Sequence, residues 1–245
     1  MTHQVLTQLR QLKLGGMASA LQSQLDIPNT YNDLSFDKRL QLLLDQESLS
    51  RDTRKQERLI KQARFKLNAS IHGIDYEKSR NITKSEMARL AQTDWITRHQ
   101  NILITGPCGS GKTYLGCSLG HSACLKGFSA RYHRLSRLFI TLAKAKADGT
   151  YHKELMALSH TRLLIIDDWG MEPITQPQRS DLMEIMDDRH ERASTIIISQ
   201  LPVDQWYACI GDNTLADAIL DRLVHNAHRL NLQGESMRKI RGKID

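Results

Sequence analysis

Residues Gly106, Pro107, Cys108, Gly109, Ser110, Gly111, Lys112 and Thr113 match G-x-x-x-x-G-K-[ST] in full. The spacing has a physical logic. Glycines let successive backbone amides converge on a polyphosphate, and a helix opening at the lysine adds its positive end. Lys112 supplies a point charge at the β- and γ-phosphates, and the Thr113 hydroxyl is placed to hold Mg²⁺. Tyr114, directly after the motif, belongs to the same nucleotide-binding segment. A second constellation ends the apolar run Leu163-Leu-Ile-Ile with two acids, Asp167 and Asp168. A buried parallel strand of this kind delivers its C-terminal carboxylates to a ligand crevice. Asp167 is expected to hold the metal with Thr113, and Asp168 to polarise an attacking water. The cofactors implied are ATP and Mg²⁺, and the chemistry is phosphoryl transfer.

Both constellations need a scaffold. Asn101-Ile-Leu-Ile-Thr105 reads as a short buried strand ahead of the glycine-rich loop. Beyond it the pattern predicts helix 112–126, a strand around 129–133, helix 134–147, strand 162–167, helix 177–191, strand 195–199, helix 213–226 and a last alternating segment, His228 to Leu232. Strands alternating with helices of ten or more residues imply βαβ units and a mostly parallel sheet. Asp167 lies 54 residues after Thr113 (167 minus 113), which leaves room for one further βα unit between them. The fold class is therefore α/β, with helices on both faces of the sheet.

Ahead of this core the chain reads as all-helical. Leu6, Leu9, Leu12, Met17, Leu21 and Leu25 recur at helical steps, and Ile27-Pro28-Asn29 ends the run. A second amphipathic stretch from Ser35 continues into the basic segment 51–66. The expected organisation is a small helical N-terminal domain, 1–66, and an ATPase domain with its linker, 67–245. Thr83 with Glu86 reads as a capping box opening another helix.

The 245 residues are 40% hydrophobic and 25% charged, close to a globular average. No apolar run approaches the roughly 20 residues of a membrane span, and the polar N-terminus lacks a secretory pattern. Cys108, Cys117, Cys124 and Cys209 form no C-x-x-C pair. The chain reads as cytoplasmic, with no membrane partner. Its charge of +7 is compatible with nucleic acid, and the distribution of that charge matters more than its sum.

At the segments NILITGPCGSGKT, LLIIDDWGMEP, IIISQLPVDQWY, LADAILDRLVHNAHRLNL and GESMRKIR the chain resembles the AAA+ ATPases of the clade holding DnaA-type initiators and DnaC-type helicase loaders. It looks most like the IstB-type helpers of insertion-sequence transposases, over nearly its whole length. The resemblance implies a three-layer αβα sandwich with a sheet ordered 5-1-4-3-2. It also implies ATP-driven self-assembly on double-stranded DNA, target selection and recruitment of a partner transposase. Matched residue by residue, Gln200, ahead of Ser199, takes the sensor 1 position, Arg222 the arginine finger and Arg238 sensor 2. One departure stands out: the second acid of the apolar strand is usually Glu in this class and is Asp168 here. A shorter carboxylate argues for slow or partner-dependent hydrolysis.

Arg131, Arg134, Arg137, Lys144, Lys146 and Lys153 cluster in and after the second strand. The resemblance places an additional helix there, and Arg134, Arg137, Lys144 and Lys146 are candidate contacts to a DNA backbone. A solvated helix face is the competing reading. Trp95 reads as a packing residue ahead of an adenine contact. The nearest functional alternative is a helicase loader, to be told apart by whether a helicase or a transposase is the partner.

Overall fold

The computed structural model describes residues 2–76, 81–234 and 237. The chain divides into two compact units, Met1–Arg58 and Leu59–Asp245.

The first unit holds α1 (Thr2–Gln11), α2 (Gly15–Asp26), α3 (Pro28–Tyr31) and most of α4 (Phe36–Ala63). Pro28 opens α3, where its missing N–H costs nothing. A buried acid pins α2 to α4. The Glu47 carboxylate accepts from the backbone N–H of Gly16 at 2.7 Å and of Met17 at 3.1 Å, so it serves the unpaired donors of the first turn of α2. The Arg51 guanidinium, 2.8 Å away, holds its pKa below the usual carboxylate value. Gly16 permits the approach, since a Cβ there would stand 2.7 Å from the Gln46 carbonyl oxygen.

The second unit is a five-stranded sheet of β1 (Asn101–Thr105), β2 (Ala130–Arg134), β3 (Leu163–Trp169), β4 (Ser194–Ser199) and β5 (Ala227–Asn231). All pairings are parallel and the order is β2-β3-β4-β1-β5, the expected 5-1-4-3-2 read from the other edge. Side chains alternate along each strand. Ile102, Ile104, Leu163, Ile165, Ile196 and Ile198 face one core with α5 (Lys84–Ala91), α6 (Asp94–Thr97) and α7 (Lys112–Leu125). Leu59 and Ala63, at the end of α4, and Trp95 of α6 join that core. Leu103, Leu164, Ile166 and Ile197 face the other, with α8 (Leu135–Ala147), α9 (Tyr151–Ser159), α10 (Gln176–Arg189), α11 (Trp206–Ile210) and α12 (Asn213–Val224). The result is a three-layer sandwich.

Two buried polar residues tie the layers together. Asn101, at the start of β1, donates to the carbonyls of Arg222 and Leu223 and accepts from the Thr195 amide at 2.8 Å. Arg189 is 2% exposed and donates to the carbonyls of Leu158, Thr161 and Ser194 and to Thr195 Oγ1. Burial pushes its pKa down to about 9. The expected helix at Thr83 forms as α5, with the Thr83 hydroxyl accepting from the Glu86 amide. No described helix is long and apolar enough to cross a membrane.

Candidate active site

The glycine-rich loop runs from the end of β1 to the start of α7, at the C-terminal edge of the sheet. Gly106 and Gly111 have φ of +142° and +95°, a region that side chains disfavour. A Cβ on Gly106 would stand 2.5 Å from the Leu232 carbonyl oxygen, and Gly111 is the residue that opens α7. The loop is folded around a charge. The Lys112 ammonium, largely buried, donates to the carbonyls of Gly106 and Pro107, each at 2.7 Å. Burial holds the Lys112 pKa below the usual lysine value, against the pull of Cys108, Asp167 and Asp168.

Thr113 and Asp167 meet as the motif requires. Thr113 Oγ1 donates to Asp167 Oδ2 at 2.9 Å, and Asp167 Oδ1 accepts from the Asp168 amide at 2.8 Å. Tyr132 Oη also donates to Asp167 Oδ2, at 2.6 Å, and Lys66 Nζ stands 3.9 Å from that oxygen. With its proton given to Asp167, the Thr113 oxygen keeps lone pairs for a cation. Hard oxygen donors of this kind fit Mg²⁺.

Asp168 reaches the site through an irregularity in β3. The register with β4 shifts between Ile166 and Trp169, and Asp168 has φ of +62°. An extra residue in one strand turns the side chains beyond it to the opposite face. Trp169 thereby returns to the face of Leu164 and Ile166, where it packs 5.4 Å from Trp206 between ring centres. Asp168 is left half-exposed, with Arg134 Nε 3.4 Å from its Oδ2.

Gly109, Gly111, Lys112, Thr113, Asp167 and Asp168 line one cavity of about 560 Å³, together with Cys108, Tyr114, Ser199 and Gln200. Ser199 is buried, and its hydroxyl is committed to the Trp169 carbonyl at 2.8 Å and the Leu201 amide at 3.0 Å. Gln200 is the more exposed of the two. Lys66, Leu67, Gly73, Ile74 and Asp75 form a further part of the wall, with Ile198 and Met237. The stretch 66–75 falls in the basic segment and the linker expected ahead of the ATPase core. Gly73 permits the approach, since a Cβ there would lie 2.2 Å from the Tyr114 hydroxyl, a closeness that only the fold reveals. Tyr114 Oη also donates to the Ser70 carbonyl at 3.3 Å. Trp95 lies away from the cavity, fully packed, and its indole donates to the Leu90 carbonyl.

Arg222 stands apart from this constellation. Asn101 bonds its carbonyl at the N-terminal end of β1, whereas the phosphate loop leaves the C-terminal end. Its guanidinium donates to Asp187 Oδ1 at 2.6 and 3.0 Å and to the Ala218 carbonyl at 2.9 Å. Its partner is thus on α10, across from its own helix. Of the basic candidates, Arg137 and Lys144 are exposed on α8. Lys146 is tied to the buried Asp181 and lies 4.8 Å over the Tyr151 ring, while Arg134 faces Asp168. Arg238 lies outside the described residues; the Met237 amide before it donates to the Gly109 carbonyl at 2.9 Å.

A parallel sheet in this order, with the phosphate loop after β1, paired acids at the end of β3 and a polar residue after β4, defines an AAA+ P-loop ATPase. The chain belongs to the family described as IstB-like ATP binding protein, whose model matches residues 7–243. It is 45% identical over 239 residues to an insertion sequence ATP-binding protein of Sinorhizobium fredii, covering 98% of this chain and 97% of that one. It is 46% identical over 203 residues to the ATP-binding protein of insertion sequence IS1162 from Pseudomonas fluorescens, covering 82% and 87%. Among solved structures the fold is similar to the DnaC helicase loader, with a TM-score of 0.55 and 16% identity over 68% of this chain and 97% of that one.

Proposed function

We propose that this chain is an ATP-hydrolysing helper of transposition, cytoplasmic, that assembles with copies of itself on duplex DNA and recruits its transposase. The observation that carries the reading is the separation of Arg222 from the phosphate loop, at opposite ends of β1. A site that needs both requires two subunits. The family's insertion-sequence context supplies the biological setting, and the helicase-loader alternative rests on fold likeness alone. The helical unit Met1–Arg58 is assigned to contacts with the partner, with DNA or between copies.

In this reading Lys112 exchanges the carbonyls of Gly106 and Pro107 for phosphate oxygens, while Thr113 and Asp167 hold Mg²⁺. The metal neutralises charge on the phosphates when bound. Asp168 orients the attacking water, Gln200 contacts the γ-phosphate or that water, and Arg238 serves as sensor 2. Asp168→Asn keeps the oxygen that aligns water and loses the base. Turnover is expected to fall by about 10²-fold or more, while ATP binding is retained and DNA complexes become longer-lived. Phosphate release and dissociation from labelled duplex measure the two effects, and unchanged turnover removes Asp168 from this role.

DNA binding is assigned to Arg137 and Lys144, exposed on α8. Arg137→Ala and Lys144→Ala are each expected to lower affinity alike for all sequences and to reduce the slope of log K against log salt by about 0.9. Lys146→Ala is expected to leave the slope nearly unchanged, because that ammonium is engaged with Asp181. The test of the whole reading is electron microscopy of the protein with duplex DNA and a slowly hydrolysed ATP analogue. Regular assemblies that need both ligands are the expected result, and monomers under these conditions overturn it.

A further inference from the structure

We propose that Tyr132 is a positioning residue for the metal-holding carboxylate, its phenol fixing the orientation in which Asp167 faces the cavity. This rests on the reading of Asp167 as an Mg²⁺ residue. Asp167 is 1% exposed, so the directions of its two oxygens are set by its donors. Oδ1 is taken by the Asp168 amide, which belongs to the irregular end of the strand. Oδ2 is shared between Thr113 at 2.9 Å and Tyr132 at 2.6 Å, with the Lys66 ammonium farther off at 3.9 Å. Thr113 must also turn toward a cation, so its bond to Asp167 serves two demands. Tyr132 has no part in the phosphate cradle, and its bond is the shorter of the two.

The fold explains why a tyrosine does this. In the β2–β3 register Arg134 lies opposite Asp167 and Tyr132 opposite Ile165. A side chain at 132 must therefore span two residues along the sheet to meet the carboxylate, a reach that suits a phenol. The ring packs against the core that contains Ile165, which holds the hydroxyl at a set height. A rigid donor behind a metal-holding carboxylate raises the population of the binding orientation, and loss of such outer partners typically costs 10–100-fold in metal affinity.

The competing account is that a half-buried phenol has simply found an acceptor. Tyr132→Phe separates the two, since it keeps the ring and its packing. Binding of a fluorescent ATP analogue is measured as Mg²⁺ is titrated, alongside a fluorescent ADP analogue in EDTA and thermal unfolding. The expected result is an Mg²⁺ midpoint raised about tenfold, with metal-free ADP affinity unchanged and turnover at saturating Mg²⁺ reduced by less than the midpoint shift. Asp167→Asn is the reference and is expected to raise the midpoint further. If Asp167→Asn shifts the midpoint and Tyr132→Phe does not, the positioning role is overturned while the metal reading stands. If Asp167→Asn also leaves it unchanged, the metal reading falls and this inference with it.

Discussion

Lys112→Ala is expected to lower ATP affinity by about a hundredfold or more and to abolish ATP-dependent assembly on duplex DNA. The magnitude follows from the two jobs this ammonium has. Toward the nucleotide it offers charge-assisted bonds to phosphate oxygens, each worth about 1.5–3 kcal/mol. Within the chain it gathers the carbonyls of Gly106 and Pro107 at 2.7 Å. Its removal strips the phosphates of a partner and leaves those carbonyls without the cation that draws them inward. Calorimetric titration with ATP and sedimentation of the protein on duplex measure the two losses. Normal assembly by the variant would mean that nucleotide does not switch the protein.

Arg222→Ala is expected to reduce DNA-stimulated hydrolysis by about 10³-fold, the lower end for arginine fingers in phosphoryl transfer. The γ-phosphate gathers charge that its own phosphate loop only partly neutralises, and an additional cation, a guanidinium, stabilises the transition state. The start of β1 separates Arg222 from its own loop by the length of a five-residue strand, so the guanidinium is available to a neighbour. Asp187 is its partner within the chain, and the proposal requires that ion pair to yield on assembly. Mixing Arg222→Ala with Lys112→Ala tests the idea, because each is expected to be inactive alone. Mixed oligomers contain interfaces with an intact loop facing an intact Arg222, and these should recover part of the activity. Mixed oligomers that form and recover nothing would refute a shared site, and so would an Arg222→Ala variant with full activity.

The parts of this molecule that were legible in the sequence are those in which one residue type has one physical use. The loop from Gly106 to Thr113 combines glycines, lysine and hydroxyl in an order with few other purposes. Leu163 to Ile166 are apolar on both faces because β3 is covered on both faces. The order of the sheet came from family resemblance, since parallel strands of similar composition carry no local sign of their neighbours. What stayed hidden depends on pairings across the sheet. Nothing near Tyr132 points to Asp167, because the two meet only through the β2–β3 register. The α9 helix was unreadable for a different reason: it buries only Leu155 and Leu158, too few for a clear period. Residues 73–75 line the cavity through a 3₁₀ turn, Ile71–Gly73, and the two residues after it, which have no sequence periodicity at all. Arg189 reads as one more surface cation on a helix, and only its carbonyl partners reveal it as a buried cross-tie.

The turn in β3 also bears on why the second acid has a short side chain. Left-handed backbone is costly for most residues, by about 1–2 kcal/mol, and aspartate and asparagine are among the few that tolerate it. At φ of +62°, position 168 selects for such a residue before any demand from chemistry is felt. Glutamate, the acid that the resemblance leads one to expect, has a methylene more of reach and lacks that local tolerance. At this position the carboxylate is carried forward by the bend of the main chain as well as by its short side chain. Asp168→Glu would lengthen the side chain on a backbone conformation that glutamate tolerates less well.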